Sequence, residues 1–364
     1  MGESPAADEQ AVRACIDQRI WPEATRPAEL VATRLTGATN QVFSVGLRRR
    51  PSAMVIVRVF GRGTDRIIDR ALEAEVMAAA AMAGVGPGVL ASFDGGRVEQ
   101  FLPEFEPFKC TADLFSGAEP RALDLLADVV GRLHATPCPA PPGPVPALES
   151  GLRRMLDAAE ERLEAGRFPS ERNRRLAEAF GVERLRGEAE WLCELLPGLG
   201  SPLVLCHGDL SGGNVLGRWE ADELVELKLV DFEYSGLNYA AFELANLFCD
   251  AMTVDPDAEG FPTFVIDQRC YPDEARRRRF VRRYLAAQPG SSGDETRLLS
   301  SLVYFTLAAH LYWALWALTV EHDGDGWKGY LEYGMSRLWQ YDALKHEKVA
   351  VEVVGPTEGG IARR

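Results

Sequence analysis

The sequence has no CxxC pair, and its seven cysteines, Cys15, Cys110, Cys138, Cys193, Cys206, Cys249 and Cys270, are scattered and odd in number. No disulfide framework is expected, and a reducing compartment, by default the cytoplasm, is. Positive charge is in the minority: Lys plus Arg total 40 against 54 Asp plus Glu, a formal net charge of -14. A surface built to neutralise nucleic-acid phosphates is thereby disfavoured, and no nucleic-acid partner is expected. The basic cluster at 276–279 lies among acidic neighbours and reads as a solvated helix face. The N-terminus, MGESPAADEQ, lacks the positive and apolar regions of a secretory signal, and its sixth residue is Ala where myristoylation needs Ser or Thr. Only one long uncharged apolar run occurs, at 302–320. It is long enough to cross a bilayer, but His310 sits in its middle and its flanks lean acidic. A buried core helix is therefore expected, and no membrane span. Low complexity is confined to 136–147, which holds six prolines and reads as a stiff surface connection in preference to a recognition loop.

What is present is an ordinary globular balance, 46% apolar and 26% charged, with length for two domains or lobes. In the first hundred residues the short runs ELVATRL, QVFSVGL, AMVIVRVF, GVLAS and RVEQFL are separated by turns or polar stretches, as in antiparallel strands. Between the third and fourth, residues 67–82 are rich in Ala, Leu, Met and Glu and predict one helix. From Pro103 onward helical spacing dominates, with helices predicted over 122–134 and 152–165.

The chemistry-bearing signal is LVLCHGDLSGGNVL, in which His207, Asp209 and Asn214 follow the spacing H-x-D-x-x-x-x-N between two apolar strands. Seventeen residues after Asn214, the alternating strand LVELKLVDFEY ends at Asp231. Phosphoryl transfer needs a carboxylate to orient the attacking hydroxyl and side-chain oxygens to hold a metal. Asp209 is the candidate base, and Asn214 and Asp231 are the candidate metal ligands. A lone H-x-D would mark only a loop hydrogen-bonder, but two carboxylates and an Asn at strand ends in this order point to a kinase site. His207 is expected to be structural, since Asp209 already fills the base role.

HGDLSGGN followed by KLVDFEYSGLNYAAFELANLFCD resembles the choline and ethanolamine kinase family, and the similarity runs from about Leu35 to Tyr341. The resemblance implies a bilobal protein kinase-like α+β fold: an N-terminal nucleotide-binding lobe over 1–102, with an antiparallel sheet, and a larger, mainly helical catalytic and acceptor-binding lobe over 103–364. It implies ATP and Mg2+ in the cleft. LTGATN would cover the phosphates, with Gly37 giving backbone access and Thr39 and Asn40 adding donors. Arg58 of VIVRVFG would stand where kinases have a lysine, and Glu73 would pair with it from the helix, with Glu75 competing for that role. VEQFLPE would be the hinge, with the backbone near Gln100 to Leu102 on adenine, and Ser211 would join the nucleotide site.

The same resemblance places an amino-alcohol acceptor pocket in the C-terminal half. Trp313 and Trp316, and likewise Tyr330 and Tyr333, are three apart and share a helical face. Core packing is the commoner meaning of such stripes, but the family match makes them an aromatic box for an ammonium group. Asp250 matches an acidic residue near that group. Asp255 falls where similar choline kinases carry a pocket tyrosine, which favours a primary ammonium, so choline and ethanolamine both stay open as the substrate. An aminoglycoside or other small-alcohol kinase and a non-catalytic nucleotide-binding protein are the alternatives. Analogy with the family implies a homodimer.

Overall fold

A computed structural model describes residues 5–35, 40–61, 68–117, 121–139, 145–166, 168–254, 262, 264–288, 294–320 and 329–354. The five expected N-terminal strands form one antiparallel sheet. They are β1 (Leu30–Leu35), β2 (Gln41–Leu47), β3 (Arg50–Val59), β4 (Val89–Phe93) and β5 (Gly96–Gln100), in the order β1-β2-β3-β5-β4. Alternation sets the register. Phe43 and Val45 of β2 face Val57 and Val55 of β3, and these side chains are buried with Leu30, Leu47, Val59 and Val98. Burying each such side chain stabilises the lobe by about 1.5–3 kcal/mol. A helix that the sequence reading did not anticipate, α1 (Pro5–Asp17), covers this face with Ala11, Ala14 and Cys15.

The expected helix of this lobe is α2 (Arg70–Met82). Asp69 caps it, its carboxylate accepting from the Ala71 and Leu72 N–H groups. Its Val76, Met77 and Ala80 join the large core shared with the C-terminal lobe, so α2 bridges the two lobes.

Past the hinge, β6 (Phe105–Pro107) pairs with β8 (Val215–Glu220), which pairs with β9 (Glu223–Leu229). The β8–β9 turn carries Ala221 and Asp222, both at positive φ (48° and 67°), the hand that matches strand twist in a tight hairpin. Separately, β7 (Leu203–Cys206) pairs with β10 (Gly236–Tyr239). The loop from β7 to β8 and the loop from β9 to β10 are thus brought side by side. The Val230 N–H to Asn214 carbonyl bond of 3.0 Å ties them.

The remainder is helical: α3 (Asp113–Ser116), α4 (Ala122–Ala135), α5 (Ala147–Ala165), α6 (Glu171–Glu178), α7 (Val182–Leu195), α8 (Ala240–Asp250), α9 (Glu274–Ala286), α10 (Glu295–Thr319) and α11 (Tyr330–Val354), with a short β11–β12 pair (Thr253–Val254, Val265–Ile266). The α5 helix begins five residues earlier than expected, directly after Pro146, whose fixed φ suits a helix start. Residues 140–144 of the proline segment lie outside the described residues. The apolar run forms α10, the one helix among the described residues long and apolar enough to span a membrane, and 72% of its most apolar stretch is buried. It packs against α5, α8 and α11. The α9 arginines pair outward with carboxylates, Arg279 with Asp124 at 2.8 Å and Arg282 with Glu295 at 2.8 Å, which fits the expected solvated face.

Candidate active site

Two glycines let the β7–β8 loop fold tightly. Gly208 sits at φ +85°, and a Cβ there would lie 2.3 Å from the Tyr234 carbonyl oxygen. Gly212 has the backbone of Cys110 2.4 Å from where its Cβ would be. Both close approaches exclude a side chain. The loop is held from below by Glu243 of α8, which is wholly buried. Its carboxylate accepts the Gly208 N–H at 3.0 Å and the His207 N–H, and lies 3.5 Å from His134 Nε2. Burial pushes the Glu243 carboxyl up, but His134, His207 and the backbone donor outweigh it, and the group is held below its ordinary range. With Cys206, His134 and Glu243 form a cluster of potential ligand atoms. These atoms are engaged already, His134 Nδ1 with Tyr284 at 2.9 Å and the Cys206 thiol with the Tyr239 carbonyl at 3.7 Å. The cluster is a post beneath the loop.

His207 is structural, as expected. Its Nε2 lies 2.9 Å from the Val230 carbonyl and its Nδ1 accepts the Asp209 N–H at 3.3 Å, which requires the neutral ring. Burial lowers its pKa in the same sense. This imidazole therefore links the loop that carries Asp209 to the loop that carries Asp231.

Asp209 is partly exposed, and Asn214 Nδ2 donates to its Oδ2 at 3.0 Å and to its carbonyl at 2.9 Å. Burial first, then the nearby Asp250, Asp231 and Glu233, push its carboxyl well above the ordinary range, against the Asn214 bond. Asp231 stands at φ +67°, a left-handed conformation that costs a non-glycine residue roughly 1–2 kcal/mol. Such strain is typically kept where it aims a side chain. Asp231 Oδ1 accepts from Arg58 at 2.9 Å. Among the described residues, Asp231 Oδ2 and Asn214 Oδ1 take no hydrogen bond, leaving two hard oxygen donors of the kind magnesium prefers.

The nucleotide side departs from expectation at one pair. Arg58 is buried and does not contact Glu73. Its Nε reaches Glu99 Oε1 at 3.2 Å, while Glu73 is taken by Arg70 at 2.8 Å and Arg97 at 2.7 Å. The reason is register: β5 presents Arg97 directly opposite Arg58, and Glu99 lies between the two cations. Asn40 donates to Glu233 at 2.8 Å and accepts from Arg70 at 3.1 Å, so it braces the two lobes. Gly37 and Thr39 lie outside the described residues. The Gln100 N–H donates to the Gly88 carbonyl at 2.8 Å, and Leu102 follows with its carbonyl accepting from Phe105 at 3.2 Å. Ser211 lies between Asp209 and Asn214, its carbonyl accepting the Asn214 N–H at 3.0 Å.

On the other side, the aromatics gather. Trp313 and Trp316 have ring centroids 5.3 Å apart, Trp316 and Tyr330 5.4 Å, and Tyr234 and Trp313 5.7 Å. Trp316 Nε1 donates to Tyr234 Oη at 2.8 Å, and Trp313 Nε1 to Asn246 at 2.7 Å, while Asn246 in turn reaches the Gly208 carbonyl at 3.5 Å. Tyr333 packs against Phe264 and lies under the buried Arg337 guanidinium, 5.6 Å from its ring centroid. Asp250 accepts from Thr111 at 2.5 Å, and the same Thr111 oxygen accepts the Gly212 N–H at 2.7 Å. Burial raises the Asp250 carboxyl, and Thr111 and Arg337 oppose the rise. Asp255 lies outside the described residues.

Sequence reasoning missed Arg97, Glu99, Glu233, Tyr234, Glu243, Asn246 and Arg337. A signal existed for the first two: charged residues at every second position of a strand that is otherwise buried.

The chain matches the Choline/ethanolamine kinase family over residues 31–342. It is 31% identical over 335 residues to a probable choline kinase 1 of Arabidopsis thaliana, covering 88% of this chain and 89% of that one. It is 30% identical over 342 residues to a choline/ethanolamine kinase of Rattus norvegicus, covering 88% and 82%. Its fold superposes on an ethanolamine kinase of Plasmodium vivax with a TM-score of 0.74 at 20% identity, covering 93% of this chain and 89% of that one. Profile, relatives and fold agree, and the chain belongs to the choline/ethanolamine kinase family.

Proposed function

We propose that the protein transfers the terminal phosphoryl group of ATP to the hydroxyl of choline or ethanolamine. The observation that carries this reading is a set of contacts on the two adjoining loops that follow β7 and β9. Arg58 meets Asp231 at 2.9 Å, Asn214 meets Asp209 at 3.0 Å, and the Trp313–Trp316–Tyr330 aromatics reach the same turn through Tyr234, three residues after Asp231. A phosphate grip, a base and an ammonium box thus adjoin.

Asp209 accepts the acceptor hydroxyl's proton as the oxygen attacks in line, and Asn214 fixes the carboxylate that does so. Asp209 must be ionised to act; burial and the neighbouring Asp250, Asp231 and Glu233 oppose this, and the Asn214 hydrogen bond favours it. Asn214 Oδ1 and Asp231 Oδ2 would hold magnesium, which supplies charge neutralisation on the phosphates. Arg58, paired with Asp231 at 2.9 Å, would grip phosphate oxygens. The aromatic faces of Trp313, Trp316 and Tyr330 hold the ammonium and exclude water, with Asp250 as counter-charge. A cytoplasmic location, expected from the cysteine pattern, and a homodimer, by family analogy, belong to the same reading, and light scattering on the purified chain checks the second.

The test is a side-by-side assay with ATP, magnesium, choline, ethanolamine and an aminoglycoside. Phosphocholine or phosphoethanolamine is the expected product. Phosphorylated aminoglycoside with neither of these would replace the reading.

A further inference from the structure

Arg58 needs a fixed carboxylate, because a buried guanidinium without one is strongly destabilising and poorly aimed. We propose that Glu99, at the entry to the hinge, is the positioning residue for Arg58, and that Glu73, which touches Arg97 and not Arg58, acts on Arg58 chiefly through Arg97. This deepens the kinase reading above and rests on it.

The geometry is a chain of alternating charges. Glu99 Oε1 receives both Arg58 Nε at 3.2 Å and Arg97 Nε at 2.6 Å. Arg97 Nη2 continues to Glu73 Oε1 at 2.7 Å, and Glu73 Oε2 receives Arg70 Nη1 at 2.8 Å. Arg70 lies 3.7 Å from Glu233, two residues after Asp231. Arg58, Glu73, Arg97 and Glu99 are each at most 5% exposed, so water screens little of this. Across the sheet Arg58 stands directly opposite Arg97, an arrangement that like charges disfavour unless a carboxylate is shared. Glu99, diagonal to Arg58 and two residues from Arg97 on the same strand, is that shared group. Three guanidinium groups, Arg58, Arg70 and Arg97, thus alternate with three carboxylates, Glu73, Glu99 and Glu233.

Glu99 and Glu73 therefore have separable duties. Glu99 aims the phosphate grip, and because it belongs to the strand that leads into the hinge, the adenine-side backbone and the phosphate-side arginine share one rigid element. Glu73 neutralises the buried Arg97 and the half-buried Arg70 and anchors α2, which is chiefly a matter of stability.

The experiment measures MgADP affinity by calorimetry on the full chain, together with thermal midpoints and, where turnover is found, KM for ATP and for the acceptor. Because nucleotide affinity is read without any acceptor, a wrong amino-alcohol assignment leaves this test intact. Glu99→Gln is expected to weaken MgADP at least tenfold, to raise KM for ATP in parallel, and to leave acceptor KM within twofold. Glu73→Gln is expected to lower the thermal midpoint more than Glu99→Gln does, with nucleotide affinity within threefold of the parent. Wild-type-like affinity in Glu99→Gln, or an equal or greater loss in Glu73→Gln, overturns the proposal. If Glu99→Gln does not fold, Arg97→Lys and the Arg97→Lys/Glu73→Gln pair decide. The substituted ammonium keeps the charge but cannot bridge both carboxylates, so adding Glu73→Gln is expected to change MgADP affinity by no more than twofold, and a further large loss overturns the series arrangement.

Discussion

Replacing Glu243 by Gln tests whether the loop that carries Asp209 is held from beneath by one buried carboxylate. The native group accepts the His207 and Gly208 N–H groups, the latter at 3.0 Å, and faces His134. A hydrogen bond to a charged acceptor is worth about 1.5–3 kcal/mol. An amide keeps one oxygen and turns an NH2 toward the second donor, so one bond is lost and one buried N–H is left without an acceptor. The expected loss is roughly 2–4 kcal/mol. Unfolding entropy near 2.1 cal/mol/K per residue over 364 residues is about 0.76 kcal/mol/K, so the thermal midpoint at pH 7 should fall by about 3–5 °C. The pH dependence is a second check. The Glu243 carboxyl is held below its ordinary range, so its stabilisation is complete above the unfolded value near 4.3 and is lost as pH falls through the depressed folded value. The gap between wild type and variant should therefore narrow in acid. A midpoint within 1 °C of wild type at pH 7, or a gap that widens in acid, would refute the reasoning.

Asp209→Ala is expected to lower turnover by about 10²- to 10⁴-fold with MgADP affinity nearly kept, and an unchanged rate would remove Asp209 from the reaction. Trp316→Ala removes the indole that bonds Tyr234 and neighbours Trp313 and Tyr330. At about 2 kcal/mol for a desolvated cation on a ring, acceptor KM should rise about thirtyfold with KM for ATP unchanged. Equal effects on both substrates would return Trp316 to the core. Arg337→Met removes a buried cation that pulls the Asp250 carboxyl down. Acceptor KM should rise several-fold, and the acid side of its pH profile should move to higher pH because the carboxyl is protonated more readily without the cation; an unmoved acid side would detach Asp250 from the ammonium.

The five strands, α2 and the Asp209, Asn214 and Asp231 triad were legible because each depends on local pattern: alternation, turn chemistry, a motif spaced within the β7–β8 loop, and a carboxylate at the end of the alternating β9 strand. The Arg58 partner was not. Choosing among Glu73, Glu75 and Glu99 requires the β3–β5 register, which puts Arg97 opposite Arg58 and makes Glu99 the nearer carboxylate. Glu243 and Asn246 were hidden for a similar reason, since in sequence they are only polar interruptions of the α8 apolar run, and their role appears once β7 lies against that helix. The α1 helix left a faint trace because it buries small side chains, Ala11, Ala14 and Cys15, where larger ones would have drawn a clear stripe.

The all-round apolar character of α10 constrains how this chain reaches its native state. Two of the helices that shield it, α5 and α8, precede it, but the third, α11, follows it. During synthesis the most greasy stretch of the polypeptide is thus made before its last cover exists. An interval opens in which that surface is available to chaperones, to bilayers or to other nascent copies. A chain halted before residue 330 would stay in that interval, so premature termination near the C-terminus should yield insoluble product rather than a shortened enzyme.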